Sequence, residues 1–277
     1  MESRIRCSKS RLKTLKNVLI QNKSTYRSTL YGLVLGFILT LFGINNAPES
    51  VEALSLLMIG SSLIEGVLGP FELILFTLPL LVNLTLFGTV IETDMNETGI
   101  FLFTRSHNRK KRMAEQMLVV ISASVLFDVL TFVPLIIGSA IWGIPVYSFS
   151  TLMTVILSWL ACTVLCHCMF VLVMNVMTVK FPMMPCLLFM CALYASGHVV
   201  MAYMPKTLNG IIAALHPSVQ AIIGAHNIES LQNMFPYYFV NNIQYFTVYY
   251  SAAYSCCVII LTIVVGMRII KKHDFLN

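Results

Sequence analysis

The sequence predicts an all-α integral membrane protein of six transmembrane helices, preceded by an interfacial helix and with both termini on the cytoplasmic side. Three observations predict it. The mean hydropathy is +0.82 and only 11% of the 277 residues are charged, outside the range of soluble chains. Apolar runs long enough to cross roughly 30 Å of hydrocarbon as helix recur along the whole sequence. Lysine and arginine gather in alternate connections between those runs, as they do on the cytoplasmic side of membrane proteins.

The runs lie at 28–44, 67–91, 117–141, 147–179, 183–204 and 245–270. They read as helices because lipid offers nothing to satisfy open backbone groups, and because they lack the alternation of barrel strands. The first is short for a span and the fourth too long, so their ends are the least defined.

Before the first run, residues 5–23 place Leu12, Leu15 and Leu19 at helical spacing with Lys9, Lys13 and Lys16 off that stripe. This is the pattern of an amphipathic helix lying in the cytoplasmic interface and drawn to anionic lipid. With eight cationic residues in the first 27 and no compact apolar core before Ser28, a cleaved signal peptide is not expected. Residues 51–64 are apolar but only 14 long and contain Glu52. They are expected on, or dipping into, the outer leaflet rather than across it.

Charge sets the orientation. The amino-terminal arm carries eight Lys and Arg, the connection after the second span carries Arg105, Arg109, Lys110, Lys111 and Arg112, Lys180 follows the fourth span, and Arg268, Lys271 and Lys272 close the sixth. Only Lys206 falls on the other side. The net charge of +6 is thereby explained by topology, and no nucleic-acid partner is implied. The aromatic run at 236–250 suits the outer interface. The long outer connection, 205–244, has helix-compatible pieces at 208–215 and 218–235, divided by Pro217, and is expected to cap the membrane domain. Of eight cysteines, Cys7 precedes the spans and the rest fall inside them, so no disulfide framework is expected.

The connection 92–116 is unusual. Ile100, Phe101, Leu102 and Phe103 sit between Glu97 and Arg105, a poor composition for a solvated linker and a suitable one for a short helix docked on a partner. A stop-transfer role accounts for residues 109–112 but not for the apolar residues before them.

The order of these elements resembles the membrane subunits, or permeases, of the ABC-2 class of ATP-binding-cassette transporters. The resemblance covers nearly the whole chain: an elbow helix before span one, six spans with both ends inside, a cytoplasmic connection between spans two and three, and an outer excursion between spans five and six. Glu97-Thr98-Gly99 followed by Arg105 and the basic cluster from Arg109 is similar to the acidic-x-Gly, Arg and basic arrangement of bacterial members. It implies that residues near 95–108 form a coupling helix, with Glu97, Gly99, Phe101, Phe103, Arg105, Asn108 and Arg109 facing a cytoplasmic ATPase. No G-x-x-x-x-G-K-[ST] occurs in the chain. The resemblance therefore implies that ATP and magnesium are bound by a separate subunit, and that a second permease, identical or homologous, completes the assembly. It further implies a bacterial plasma membrane and export of a hydrophobic or amphipathic substrate such as a lipid, peptide or antimicrobial compound. Gly32 and Gly36, as a G-x-x-x-G, allow close helix contact at the route between membrane halves.

Within the spans, Asp128 is the costliest residue, because a carboxyl at membrane depth requires a partner, a wet cavity or a proton. It is a candidate for the translocation pathway or for a state-stabilising role, beside the alternative of a hydrogen-bonded packing residue. His167 is its candidate partner. Glu72 lies near the outer end of span two, within reach of headgroups, and Asn83, Asn175 and His198 are further buried polar residues. Cys162, Cys166, His167 and Cys168 have metal-ligand chemistry, but residues 166–168 point in different directions on a helix. No metal or catalytic residue is assigned, since an intramembrane enzyme needs several acidic and His groups converging from their spans. A passive channel or scaffold without an ATPase is the alternative function.

Overall fold

In the computed structural model, residues 23–45, 48–58, 69–95, 109–203, 210–211 and 215–272 are described. They are helical, with irregular connections and no β-strand among them. We number the helices α1 (Lys23–Asn45), α2 (Val51–Met58), α3 (Pro70–Phe87), α4 (Arg109–Ile141), α5 (Phe149–Thr178), α6 (Met183–Tyr203), α7 (Glu229–Met234) and α8 (Val248–Lys272).

Five stretches are long and apolar enough to cross a membrane: Pro70–Met95, Met113–Ile141, Phe149–Thr178, Met183–Tyr203 and Val248–Ile269. This fits a multi-pass membrane protein. The expected first span survives as a shorter apolar helix, Thr29–Asn45, whose 17 residues give about 26 Å of helix. The expected interfacial helix at 5–23 falls almost wholly outside the described residues.

α1 lies against α4, and glycines set the distance. A side chain at Gly32 or Gly36 would run into the carbonyl oxygens of Phe127 and Thr131, while Gly138 of α4 receives Thr40. Small residues that let two backbones meet are how apolar helices associate without a hydrophobic driving force. The G-x-x-x-G thus makes a close contact as expected, but inside this chain rather than between two membrane halves. The outward face of α1, with Leu30, Val34, Phe37 and Leu41 exposed, is left for lipid.

α2 corrects the expectation for residues 51–64. All eight of its residues are buried, so it is enclosed by protein instead of resting on a leaflet; residues 59–64 lie outside the described residues. The Glu52 carboxylate accepts hydrogen bonds from the backbone N–H of Tyr147 and Ser148, both at 3.1 Å. Ser148 caps α5 by accepting from Thr151 N–H at 3.0 Å. A carboxylate at a helix start is held by open amides and by the helix dipole, which is why this acidic residue tolerates burial and why α5 begins at Phe149 rather than earlier.

The connections meet on one face. Val51 N–H donates to Pro145 O at 3.0 Å, Tyr147 packs edge-on to Phe235, and Thr151 Oγ1 lies 3.3 Å from Met234 Sδ. The described residues 48–50, 142–148 and 234–235 are therefore on the same side of the bundle.

α3 breaks at Gly88–Thr89 and resumes over residues 90–95. Asn175 of α5 mends the break: its Nδ2 donates to Phe87 O at 2.6 Å, and its Oδ1 accepts from Ile91 N–H at 3.1 Å. Buried backbone groups freed by a helix break need such partners.

α5 contains one π-turn, Leu160–Val164. The wide turn inserts an extra residue and re-aims the side chains beyond it, and such turns concentrate at functional sites.

Candidate functional site

The connection between α6 and α8 is the largest departure from expectation. Residues 216–226 do not form a helix over the bundle; they enter it as two short 3-10 turns, Val219–Ala221 and Ile223–Ala225. Their depth is fixed by partners in the middle of spans. Cys166 Sγ lies 3.4 Å from Pro217 O, Ser218 Oγ donates to Leu193 O at 3.1 Å, and Thr163 Oγ1 donates to Ala221 O at 3.1 Å. Gly197 provides the seat, since a Cβ there would occupy the space of the Ser218 side chain. Irregular backbone at membrane depth persists only where protein or water satisfies it. Here Thr163, on the π-turn, supplies one of the required donors.

His226 anchors the end of this segment. Its Nδ1–H donates to Ile222 O at 2.8 Å, and Ser251 Oγ of α8 sits 2.6 Å from Nε2 and 2.7 Å from Gln220 Oε1. The Cys162 thiol, 3.6 Å from Nε2, offers the second proton that these two acceptors need. The ring stacks on Phe246 with centroids 4.3 Å apart. Burial pushes the His226 imidazole down to about 4, and burial also lowers the half-buried His216.

Folding therefore favours neutral His226, whereas the unfolded chain takes up a proton near pH 6.5. Its stabilisation is complete above pH 6.5 and is lost as pH falls toward 4, by on the order of 3 kcal/mol. We expect the thermal unfolding temperature in detergent to drop between pH 7 and pH 5, and His226→Gln to flatten that dependence.

Below this segment lies the polar centre of the bundle. Asp128 of α4 and His167 of α5 meet at 3.0 Å, Oδ1 to Nδ1, the pairing expected from sequence. His167 Nε2 lies 3.3 Å from Tyr194 OH on α6. From α3, Asn83 Nδ2 donates to Ser124 Oγ at 3.0 Å and reaches Asp128 Oδ2 at 3.4 Å. His198, one turn beyond Tyr194, donates from Nδ1 to Tyr194 O at 3.3 Å and stacks on Phe76. Four helices thus contribute to one buried chain of groups. A cavity of about 10 Å³ adjoins it, lined by Asp128, Thr131, Trp159, Thr163, His167 and Tyr194 among others, with room for about one water. The chemistry within reach of such a space is proton exchange.

Other sequence candidates lie elsewhere. Glu72 is in the first turn of α3, beside Gly69, about 16 Å along the helix from Asn83, and takes no part in the centre. Arg109 opens α4. Glu97, Gly99, Phe101, Phe103, Arg105 and Asn108 lie outside the described residues. Cys162 and Cys166 both face the inserted segment, while Cys168 turns toward Ile121 O on α4, the divergence expected of neighbours on a helix.

Tyr194, Ser124 and Thr163 were not among the sequence candidates, and neither were the inserted His216, Ser218, Gln220 and His226. The available signal was weak: four polar residues spaced through an apolar stretch on both sides of Pro217.

No family model matches the chain, and neither a curated protein nor a solved structure matches it.

Proposed function

We propose that the chain is the membrane-spanning permease subunit of an ATP-driven transporter of the ABC-2 class. In this reading α1 also crosses the membrane, as the first of six spans, both termini and residues 92–116 are cytoplasmic, and the substrate is a hydrophobic or amphipathic molecule exported across a bacterial plasma membrane. A cytoplasmic ATPase supplies the ATP site, and a second permease completes the route.

The observation that carries it is how the two helices flanking residues 96–108 are bonded to each other. Residue 95, where the continuation of α3 is last described, and Arg109, where α4 starts, lie at the ends of these helices away from the interlocked connections. Near those ends, Gln116 of α4 bonds to Asp94, and further along the same two helices meet again through Asn83, Ser124 and Asp128. A force applied at 96–108 is thus passed by two bonded helices into the polar centre of the bundle. Apolar Phe101 and Phe103 beside Arg105 suit a docked helix receiving that force.

The test is purification of the tagged protein in mild detergent, with mass-spectrometric identification of what remains bound. A stoichiometric ATPase, lost on mutating residues 97–105, supports the reading. A lone protein in several detergents points to a channel or scaffold. In the assembled transporter, Arg105→Glu is expected to abolish substrate-stimulated ATP hydrolysis while leaving insertion intact, because the remaining cytoplasmic charges still specify topology. Unchanged hydrolysis counts against the assignment.

A further inference from the structure

We propose that Asp128 and His167 form an intramembrane proton-binding site, with the Asn83 amide as its two-position partner and Trp159 beside it across the cavity. The inference goes beyond the transporter reading and does not depend on it.

The geometry gives one oxygen of Asp128 a close partner and the other a long one. Oδ1 faces His167 at 3.0 Å, whereas Oδ2 receives only the 3.4 Å approach of Asn83 Nδ2, whose closer bond goes to Ser124. On the same side chain, Asn83 Oδ1 is buried with no partner. A proton on Oδ2 lets the 3.4 Å contact run in the other direction. With the Asn83 amide turned over, Oδ1 accepts from the protonated carboxyl, and Ser124 serves equally as acceptor from Nδ2 or as donor to Oδ1. Without that proton, the amide donates to the carboxylate as observed. Two hydrogen-bonding arrangements of the same residues thus differ by one proton.

Charge gives the same result. Among the described residues the surroundings hold no compensating cation: α3 presents Asn83, α4 presents Ser124, α5 flanks His167 with Cys166 and Cys168, and α6 contributes Tyr194 and His198. A carboxylate beside a neutral imidazole is a lone buried anion, which low-dielectric surroundings penalise. One proton taken from water makes the pair neutral, either on Oδ2 or on His167. In the second case Nε2–H donates to Tyr194 OH, which accepts as readily as it donates. No other bond forms or breaks.

Access is present as well. The cavity beside Asp128 and His167 takes about one water. Farther along α6, His198 Nε2 is buried without a hydrogen-bond partner. Beyond it, His216 is half-buried and bonded to Ser196 and Ser218. Acid and imidazole chains of this kind are how membrane proteins move protons.

Trp159 lines the cavity, and the protein has two tryptophans. The other, Trp142, is half-exposed at the end of α4, so Trp142→Phe leaves Trp159 as a single reporter. In the full-length Trp142→Phe protein in detergent, the emission of Trp159 is expected to titrate with pH. The titration should be lost in Asp128→Asn and in His167→Gln and kept in His226→Gln, which separates this site from the other buried imidazole. A second measurement needs no variant of the pair. The chain contains three aspartates, Asp94, Asp128 and Asp274, so isotope-edited infrared spectroscopy with labelled aspartate should show a protonated-carboxyl band from a buried group that titrates with the fluorescence. A flat Trp159 response with no titrating buried carboxyl overturns the proposal, as does a response that survives Asp128→Asn.

Discussion

Asn175→Leu is expected to destabilise the protein by about 2–6 kcal/mol, because it strips partners from two buried backbone groups at once, each worth roughly 1–3 kcal/mol. Leucine has the branching and the number of side-chain heavy atoms of asparagine and fits an apolar helix, so the loss of hydrogen bonds is the main effect. What is lost is the bridge across the break in α3: Phe87 O loses its donor at 2.6 Å and Ile91 N–H its acceptor at 3.1 Å. In an apolar interior no water replaces them. The cost lies on α3 although the substitution is on α5. Thermal unfolding in detergent should show a large loss of stability, and hydrogen exchange should increase at residues 88–91 specifically. Asn175→Leu with wild-type stability would mean that the break is satisfied by other groups.

Gly36→Leu is the second large effect. Its side chain would have to occupy the space of the Thr131 carbonyl, with Pro134 Cγ 3.0 Å from the Cβ position. A clash with backbone is not relieved by a rotamer change, and Gly32 holds the adjacent turn of α1 against Phe127 O, 2.9 Å from its Cβ position. Ordinary overpacking costs about 1–3 kcal/mol; here α1 must separate from α4, so the cost is expected at or above the top of that range. Phe37→Leu, on the exposed face of α1, is the control and should leave stability unchanged. Protease cleavage near the start of α1, followed over time, should accelerate in Gly36→Leu alone.

The parts legible in the sequence were those with a strong local pattern. Long apolar runs located five of the crossing helices, and alternation of basic connections anticipated which connections share a face. The pairing of Asp128 with His167 was accessible because a carboxyl at membrane depth requires a partner and few deep groups qualify. The inserted segment was not accessible. Val219, Ile222 and Ile223 have the spacing of an amphipathic helix on a surface, and nothing local distinguishes that surface from the interior of a bundle. Its depth depends on partners far away in sequence: Thr163, Cys166, Leu193 and Ser251. The burial of α2 escaped for the same reason. Glu52 reads as a barrier to burial until the open amides of Tyr147 and Ser148, almost a hundred residues later, are placed against it.

The inserted segment also orders how the molecule is put together. Its partners belong to α5, α6 and α8, so residues 216–226 leave the ribosome after two of the walls that receive them and before the third. Until Ser251 arrives with α8, His226 and Gln220 lack the hydroxyl that joins them, and the half-built bundle has an open polar cleft facing lipid. The last helix is therefore the closing piece of the interior, even though its outer face is among the most exposed in the protein. A chain stopped short of residue 248 is left with a seam, and quality control in the membrane has a physical feature by which to recognise it.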